Sequence, residues 1–421
     1  MQESQGVKGG VRQPQPPRIG PAPLSLFVLA QIGSFLSFVP LLAILLPLKA
    51  QAIGGADKAS ALALVTICGS VMAFFANPIA GSISDRTRSR WGRRRPWIVA
   101  GAVGTVISYA VIALANSLPA LVLGFVLFQL TFNFLFAPLN AVVPDRIPDD
   151  QKGSVSGLIG LGLPVGSVLG VTLIGRLIDD SALRFVAIAV ILLISVLPFA
   201  LFVREDVPIE AERAAALPLW DFRVNPRKHP DFAWAWLARF LVMIPYSLVT
   251  GYMLYYLQDA VRYQELFPGA KAEQGLATLT AISTFTSVVS TLAGGFLSDR
   301  LGRRKIFVLA AGATMAGAMA IFALFPTWPG MIVGYAFFGL GIGCFFAVDI
   351  ALIAQVLPPG GDAGKHLGII NLTNIFGQTL APLVAVQVLG ATDNNYPMLF
   401  GIAAVIALTG AVLVKPIRGV N

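Results

Sequence analysis

The sequence predicts an all-helical membrane protein of about twelve transmembrane helices in two pseudo-symmetric six-helix bundles, and three observations predict it. Charged residues make up 12% of the chain against 56% hydrophobic, with a mean hydropathy of +0.77, too little polar surface to keep a 421-residue globule in water. Apolar runs of roughly 20 residues, the length that crosses a bilayer core, recur along almost the whole chain. A segment of the first half also returns in the second half, displaced by 210 residues from Gly124 to Gly334.

Residues 1–22 are rich in Pro, Gly and Gln and lack the apolar core of a secretory signal, so they are expected to form a disordered cytoplasmic tail. Six spans follow at 23–48, 58–82, 96–114, 118–142, 153–175 and 183–203, together an N-terminal bundle over 23–203. The charged, Pro-containing stretch 204–231 is the longest polar interval and reads as a cytoplasmic linker. A second set at 232–258, 275–298, 306–325, 328–357, 367–390 and 396–414 forms a C-terminal bundle over 232–414, with 415–421 as a cytoplasmic tail.

Lys and Arg fix the expected orientation, because cytoplasmic loops retain them. With both termini inside, 23 fall on the cytoplasmic side and 6 outside, and Arg239 lies within a span. The net charge of +9 therefore sits beside hydrophobic spans, where it meets lipid headgroups rather than nucleic acid. Cys68 and Cys344 fall in apolar runs and read as small hydrophobes.

The repeat is legible residue by residue. GFVLFQLTFNFLFA from Gly124 aligns without gaps on GYAFFGLGIGCFFA from Gly334, which pairs the fourth span with the tenth. The loop after the second span reads GSISDRTRSRWGRRRPW from Gly81, and the loop after the eighth reads GGFLSDRLGRRKIF from Gly294. Each carries Ser-Asp-Arg and then Gly with three basic residues. In these loops the chain resembles the major facilitator superfamily, and the longer copy resembles its glycoside, pentoside and hexuronide cation symporters related to melibiose permease, and the sucrose-proton symporters.

Asp85 and Asp299 stand at span ends beside clustered guanidinium groups, where charge-assisted hydrogen bonds can form in one conformation and break in another. The resemblance implies a conformational latch built from Asp85, Arg86, Arg93 and Arg94 in one copy and Asp299, Arg300, Arg303 and Arg304 in the other, steadying the outward-open state. Anchoring of the same arginines to anionic lipid is the plainer alternative.

Ionisable groups deep in a span are costly and mark function. Two are found, Arg239 in the seventh span and Asp349 in the tenth, each about eight residues, or roughly 12 Å, from the cytoplasmic side. The first, fourth, seventh and tenth spans line the central cavity in the family this chain resembles. Arg239 and Asp349 are therefore expected to face that cavity, to pair, and to be uncoupled by a proton on Asp349. A static structural pair is the competing reading.

Neutral polar and aromatic groups form stripes at helical spacing. The candidates for solute binding are Gln31 and Phe38 with Phe35 in the first span, Gln129, Asn133 and Asn140 in the fourth, Trp236 and Tyr246 in the seventh, and Asn371, Asn374 and Gln378 in the eleventh. Amides donate and accept together, and flat rings suit a sugar face. Amides also join helices in membranes, which is the bland reading of each. Thr278, Ser283, Ser287 and Ser290 of the eighth span read as close packing.

The expected function is proton-coupled symport of a sugar, glycoside or similar polar metabolite by alternating access in the plasma (inner) membrane, by a chain acting as a monomer. Protons are expected rather than sodium, because the first, second and fourth spans lack the carboxylates with which melibiose-type relatives hold their cation. Proton-coupled efflux is the alternative, since GLIGLGLPVGSVLG from Gly157 loosely resembles the antiporter motif of the superfamily. A non-transporting membrane sensor is a third. No enzyme, metal or cofactor is expected: the two histidines, His229 and His366, fall in loops without metal-ligand spacing, and no phosphate-binding loop is present.

Overall fold

The computed structural model describes residues 18–143, 147–203, 227–356 and 363–417. In these residues the chain forms twelve long helices. The first half holds α1 (Pro21–Pro40, continued by Leu46–Gly54), α2 (Lys58–Arg86), α3 (Arg95–Leu114), α4 (Leu118–Asn140), α5 (Asp149–Gly160 and Gly162–Thr172) and α6 (Ser181–Phe202). The second half holds α7 (Pro230–Asp259), α8 (Ala272–Leu301), α9 (Arg304–Leu324), α10 (Trp328–Val356), α11 (Ala363–Ala391) and α12 (Tyr396–Val412).

Most helix ends fall within a few residues of the predicted spans. Among the larger departures are extensions, α1 to Gly54 and α11 back to Ala363, because hydropathy marks only the apolar part of a helix whose hydrogen bonding runs on into the polar layer. The second extension carries His366 into the first turn of α11 instead of a loop. Residues 204–226 of the expected linker and 1–17 of the expected tail lie outside the described residues.

Local signals set the ends. Proline occupies the first turn of α1, α3, α4, α7 and α12, where its missing N–H costs nothing and its fixed φ favours the helix. Asp180 caps α6 by accepting from Leu183 N at 2.7 Å, and Asn395 caps α12 by accepting from Met398 N at 2.9 Å. Gly302, at φ 63°, closes α8 in the left-handed region.

Packing follows the repeat. In the first half α3 lies on α4 and α6, α1 on α5 and α6, and α2 on α4; in the second half α9, α7 and α8 make the matching pairs with α10, α12 and α11. The halves meet through α2 with α11 and α5 with α8. Large apolar side chains such as Leu114 (77% exposed), Phe202 (75%) and Phe285 (72%) point outward, as lipid requires. Inside, small residues allow backbones to touch: a Cβ on Gly166 of α5 would lie 2.8 Å from Ile32 O of α1, and one on Gly343 of α10 would lie 2.2 Å from Ser287 O of α8.

Among the described residues two π-turns interrupt the α pattern. After Pro40, which has no N–H to give, α1 widens into a π-turn at Leu41–Leu45, and α5 ends in a second at Leu173–Leu177. Both lie toward the end of the molecule remote from the chain termini, here termed the distal end. The first packs on α7 and the second on α8, so each touches the opposite half.

Candidate functional site

Within the second half, α7, α10 and α11 bring together the charged pair expected from the sequence. Arg239 sits two turns into α7, and its Nη1 donates to Asp349 Oδ2 of α10. Its Nε donates to Thr373 Oγ1 at 3.0 Å and its Nη2 to Asn374 Oδ1 at 3.4 Å, both on α11. Arg239 is 7% exposed and Asp349 2%, so the pair is screened from bulk water and its Coulomb energy is correspondingly large. The Phe346 ring of α10 lies 6.0 Å from the guanidinium carbon, adding a cation–π contact.

The first half has a neutral counterpart. Gln31 Nε2 of α1 donates to Asn140 Oδ1 of α4 at 2.9 Å. In the 210-residue repeat, Gln31 and Asn140 fall within two positions of Arg239 and Asp349. One half thus bridges its two inner helices with carboxamides and the other with opposite charges. Gln31 is fully buried and its Oε1 has no partner, whereas Asn140 is exposed.

Rings flank these groups. Phe38 stacks on Phe132 at 4.9 Å and on Phe128 at 5.8 Å, while Phe35 meets Phe136 edge-on at 5.2 Å. Trp236 stacks on Phe240 at 5.4 Å and donates Nε1 to Ile369 O at 2.9 Å. Tyr246 stacks on Phe338 at 6.1 Å. Phe74 of α2 approaches Phe376 of α11 at 6.1 Å, and Ser70 accepts from Thr379 at 2.8 Å, so rings and hydroxyls also meet across the halves.

The other candidates separate by use. Asn133 accepts from Asn77 Nδ2 of α2 at 2.9 Å and donates its own Nδ2 to Gln129 O at 2.7 Å, which joins α4 to α2. Gln129 is buried and Gln378 half-buried, while the side chain of Asn371 lies outside the described residues. In α8, Ser290 donates to Leu340 O of α10 at 2.6 Å, while Thr278 and Ser283 bond carbonyls of their own helix.

The repeated loops are matched in geometry. Arg94 Nη2 lies 3.1 Å from Asp85 Oδ1, and Arg304 Nη2 lies 3.2 Å from Asp299 Oδ1. Arg304 Nη1 also donates to Ala351 O at 2.9 Å. The next residue of each copy holds the end of a neighbouring helix: Arg95 donates to Ala200 O and Leu201 O in the last turn of α6, and Lys305 Nζ to Ile417 O at 2.7 Å after α12. Arg86 and Arg300, in the last turns of α2 and α8, are exposed, as is Arg303, while Arg93 is half-buried. Each aspartate is thus paired within its own half.

Sequence reasoning missed the distal closure. Among the described residues three ion pairs cross between the halves there: Lys58 with Asp259 at 2.8 Å, Lys271 with Asp179 at 2.6 Å, and Arg184 with Glu273 at 3.3 Å. The last is buried, with side chains 4% and 7% exposed. Tyr255 OH of α7 also donates to Pro47 O of α1 at 2.7 Å. The Lys271 hydrogen bond and charge hold the Asp179 carboxyl below its ordinary value.

Comparison with known proteins gives a consistent result. The family model described as Major Facilitator Superfamily matches residues 24–272 and 235–419. Sucrose transport protein SUC4 of Arabidopsis thaliana is 34% identical over 125 residues, 25% of this chain and 24% of that protein. The Fujikurins efflux protein of Gibberella fujikuroi is 26% identical over 353 residues, 81% of this chain and 70% of that protein. The stretch shared with the sucrose transport relative thus spans about a quarter of that relative's length. In fold, a solved peptide transporter, POT, superposes with a TM-score of 0.75 at 14% identity, covering 95% of this chain and 96% of that one.

Proposed function

The chain belongs to the major facilitator superfamily and is a multi-pass membrane transporter, and from that premise we propose that it couples proton movement to symport of a small polar solute such as a sugar or glycoside. The observation that carries this reading is the Arg239–Asp349 pair, buried between α7 and α10 and tied to α11 through Thr373 and Asn374. A proton on Asp349 removes the attraction that holds α7 to α10, and α11 is then free to move with the guanidinium. The matching Gln31–Asn140 bridge carries no charge and is indifferent to protons, so coupling resides in the second half.

In this reading both termini are cytoplasmic, following the bias of 23 basic residues to 6, and the chain works as a monomer in the plasma (inner) membrane. The distal end is then the outer face, and its ion pairs hold it shut while exposed Asn140 opens toward the cytoplasm. The Asp85 and Asp299 loops act as the latch of the alternate, outward-open state. Gln31, Phe38, Asn140, Trp236, Tyr246, Asn374 and Gln378 line the solute path.

The test is uptake into proteoliposomes under an imposed pH gradient, with sucrose as first probe. Wild-type uptake rises with the inward proton gradient, and an Asp349→Asn variant loses that dependence. Full pH dependence in the variant would remove the coupling role. A second reading, export in exchange for protons, is favoured by the efflux relative, which matches far more of the chain than the sucrose relative does. Solute-driven alkalinisation outside the vesicle supports import, and proton-driven solute loss supports export.

A further inference from the structure

Among the described residues Arg239 has three polar acceptors, of which Asp349 carries charge. Once Asp349 binds a proton, the guanidinium retains Thr373 Oγ1, Asn374 Oδ1 and the Phe346 face, all neutral. Water does not compensate well, because Arg239 is 7% exposed. Leaving a buried cation without its anion is strongly unfavourable, so protonation by itself is opposed by the site it is meant to switch. Among the described residues the nearby charges do not replace Asp349. From α9, Arg304 reaches the α10 backbone at Ala351 O, and its own partner is Asp299 of α8. The α11 side chains at the pair are Thr373 and Asn374.

From this charge balance we infer that the solute carries a carboxylate, which takes the place of Asp349 on Arg239 when Asp349 is protonated. This rests on the proton-coupled reading above and adds the chemical class of the solute. The guanidinium suits the exchange: Nη1 is vacated by Asp349, Nη2 is loosely held by Asn374 at 3.4 Å, and a carboxylate spans two such donors. On α1 and α4 the first half offers neutral amides, with the buried Gln31 Oε1 lacking a donor, a deficit that a hydroxyl group on the rest of the molecule would fill. A monoanionic polyhydroxy acid satisfies both sides. One proton enters on Asp349 and one negative charge on the solute, so the transported unit is neutral. When the solute leaves and Asp349 gives up its proton, the original pair re-forms.

The probes are D-gluconate and D-sorbitol, which share a carbon chain and hydroxyls and differ in a carboxylate against a hydroxymethyl, together with acetate as the smallest carboxylate. Thermal unfolding of purified Asp349→Asn protein, whose guanidinium is permanently unpaired, should shift upward saturably with gluconate and acetate and not with sorbitol or matched chloride. The Asp349→Asn, Arg239→Gln double variant should lose the shift. In wild-type protein, gluconate affinity should rise by up to about tenfold per unit of falling pH through the Asp349 titration, a measurement that serves if the single variant does not fold. Equal shifts with sorbitol, a shift that survives in the double variant, no carboxylate-specific shift, or a pH-independent wild-type affinity would each overturn the inference. These readouts need no flux, so they stand apart from the uptake assay. Sucrose uptake driven by protons without carboxylate binding would leave the symport reading in place and remove this one.

Discussion

Arg184 of α6 and Glu273 of α8 meet across the two halves with 3.3 Å between Nη1 and Oε1, in a contact almost closed to water. The backbone presses equally close there, since a Cβ on Gly175 would lie 2.7 Å from Glu273 O. Charge and packing therefore close the distal end at the same point.

Breaking this pair on one side should open that end. Removing one partner of a buried ion pair leaves the other uncompensated, at a cost of about 3–5 kcal/mol. Glu273→Gln or Arg184→Gln should raise distal accessibility, read as the rate of thiol labelling at a cysteine placed in the distal part of the cavity. The double neutral variant should be labelled more slowly than either single one.

Gly175→Ala should act in the same direction without touching a charge. The added methyl meets backbone, which cannot rotate away, and overpacking of this kind costs roughly 1–3 kcal/mol. Labelling should rise as it does for Glu273→Gln. Gly81→Ala, where a Cβ would meet nothing within 4 Å, should leave labelling unchanged.

Acidity should loosen the rim through Asp179. Its carboxyl is held below the ordinary aspartate value, so the bridge to Lys271 is fully present at neutral pH. It is lost only as pH falls through that lowered value. Distal labelling should therefore rise on acidification below the usual carboxylate range. Asp179→Asn should remove that component and show the raised labelling already at neutral pH; the effect is small because the pair is exposed.

The central pair should reveal itself in stability as well as transport. Arg239→Gln or Asp349→Asn alone should destabilise the chain by about 3–5 kcal/mol, while Arg239→Met with Asp349→Leu should recover most of that loss. Thermal unfolding of the purified variants checks this. Equal loss in the single and double variants would mean that Arg239 acts through its α11 contacts instead.

The helices were legible because lipid leaves a chain few options: long apolar runs must become helices, and the repeat from Gly124 to Gly334 shows in residue type alone. Arg239 and Asp349 stood out for the same reason, as charges where charge is costly. The distal pairs were not legible. Lys58, Arg184 and Lys271 lie at helix ends, where a solvated charge looks the same in sequence as a paired one. A usable signal was present, since Asp179, Asp259 and Glu273 also lie at that basic-poor end. Asn133 shows the opposite limit: its place on the stripe with Gln129 and Asn140 was readable, but its commitment to Asn77 depends on how α2 crosses α4.

The π-turns at Leu41–Leu45 and Leu173–Leu177 leave the two halves mechanically unequal. Each carries a spare residue in its coil, so α1 and α5 can slip by about 1.5 Å in rise and a fraction of a rotation while keeping their hydrogen bonding. Their counterparts α7 and α11 have no π-turn and carry Pro245 and Pro382 inside the helix instead, each of which removes one backbone hydrogen bond. The first half can thus yield by sliding at its π-turns, while the second can bend only at its prolines, and Arg239 lies on the N-terminal side of the one in α7.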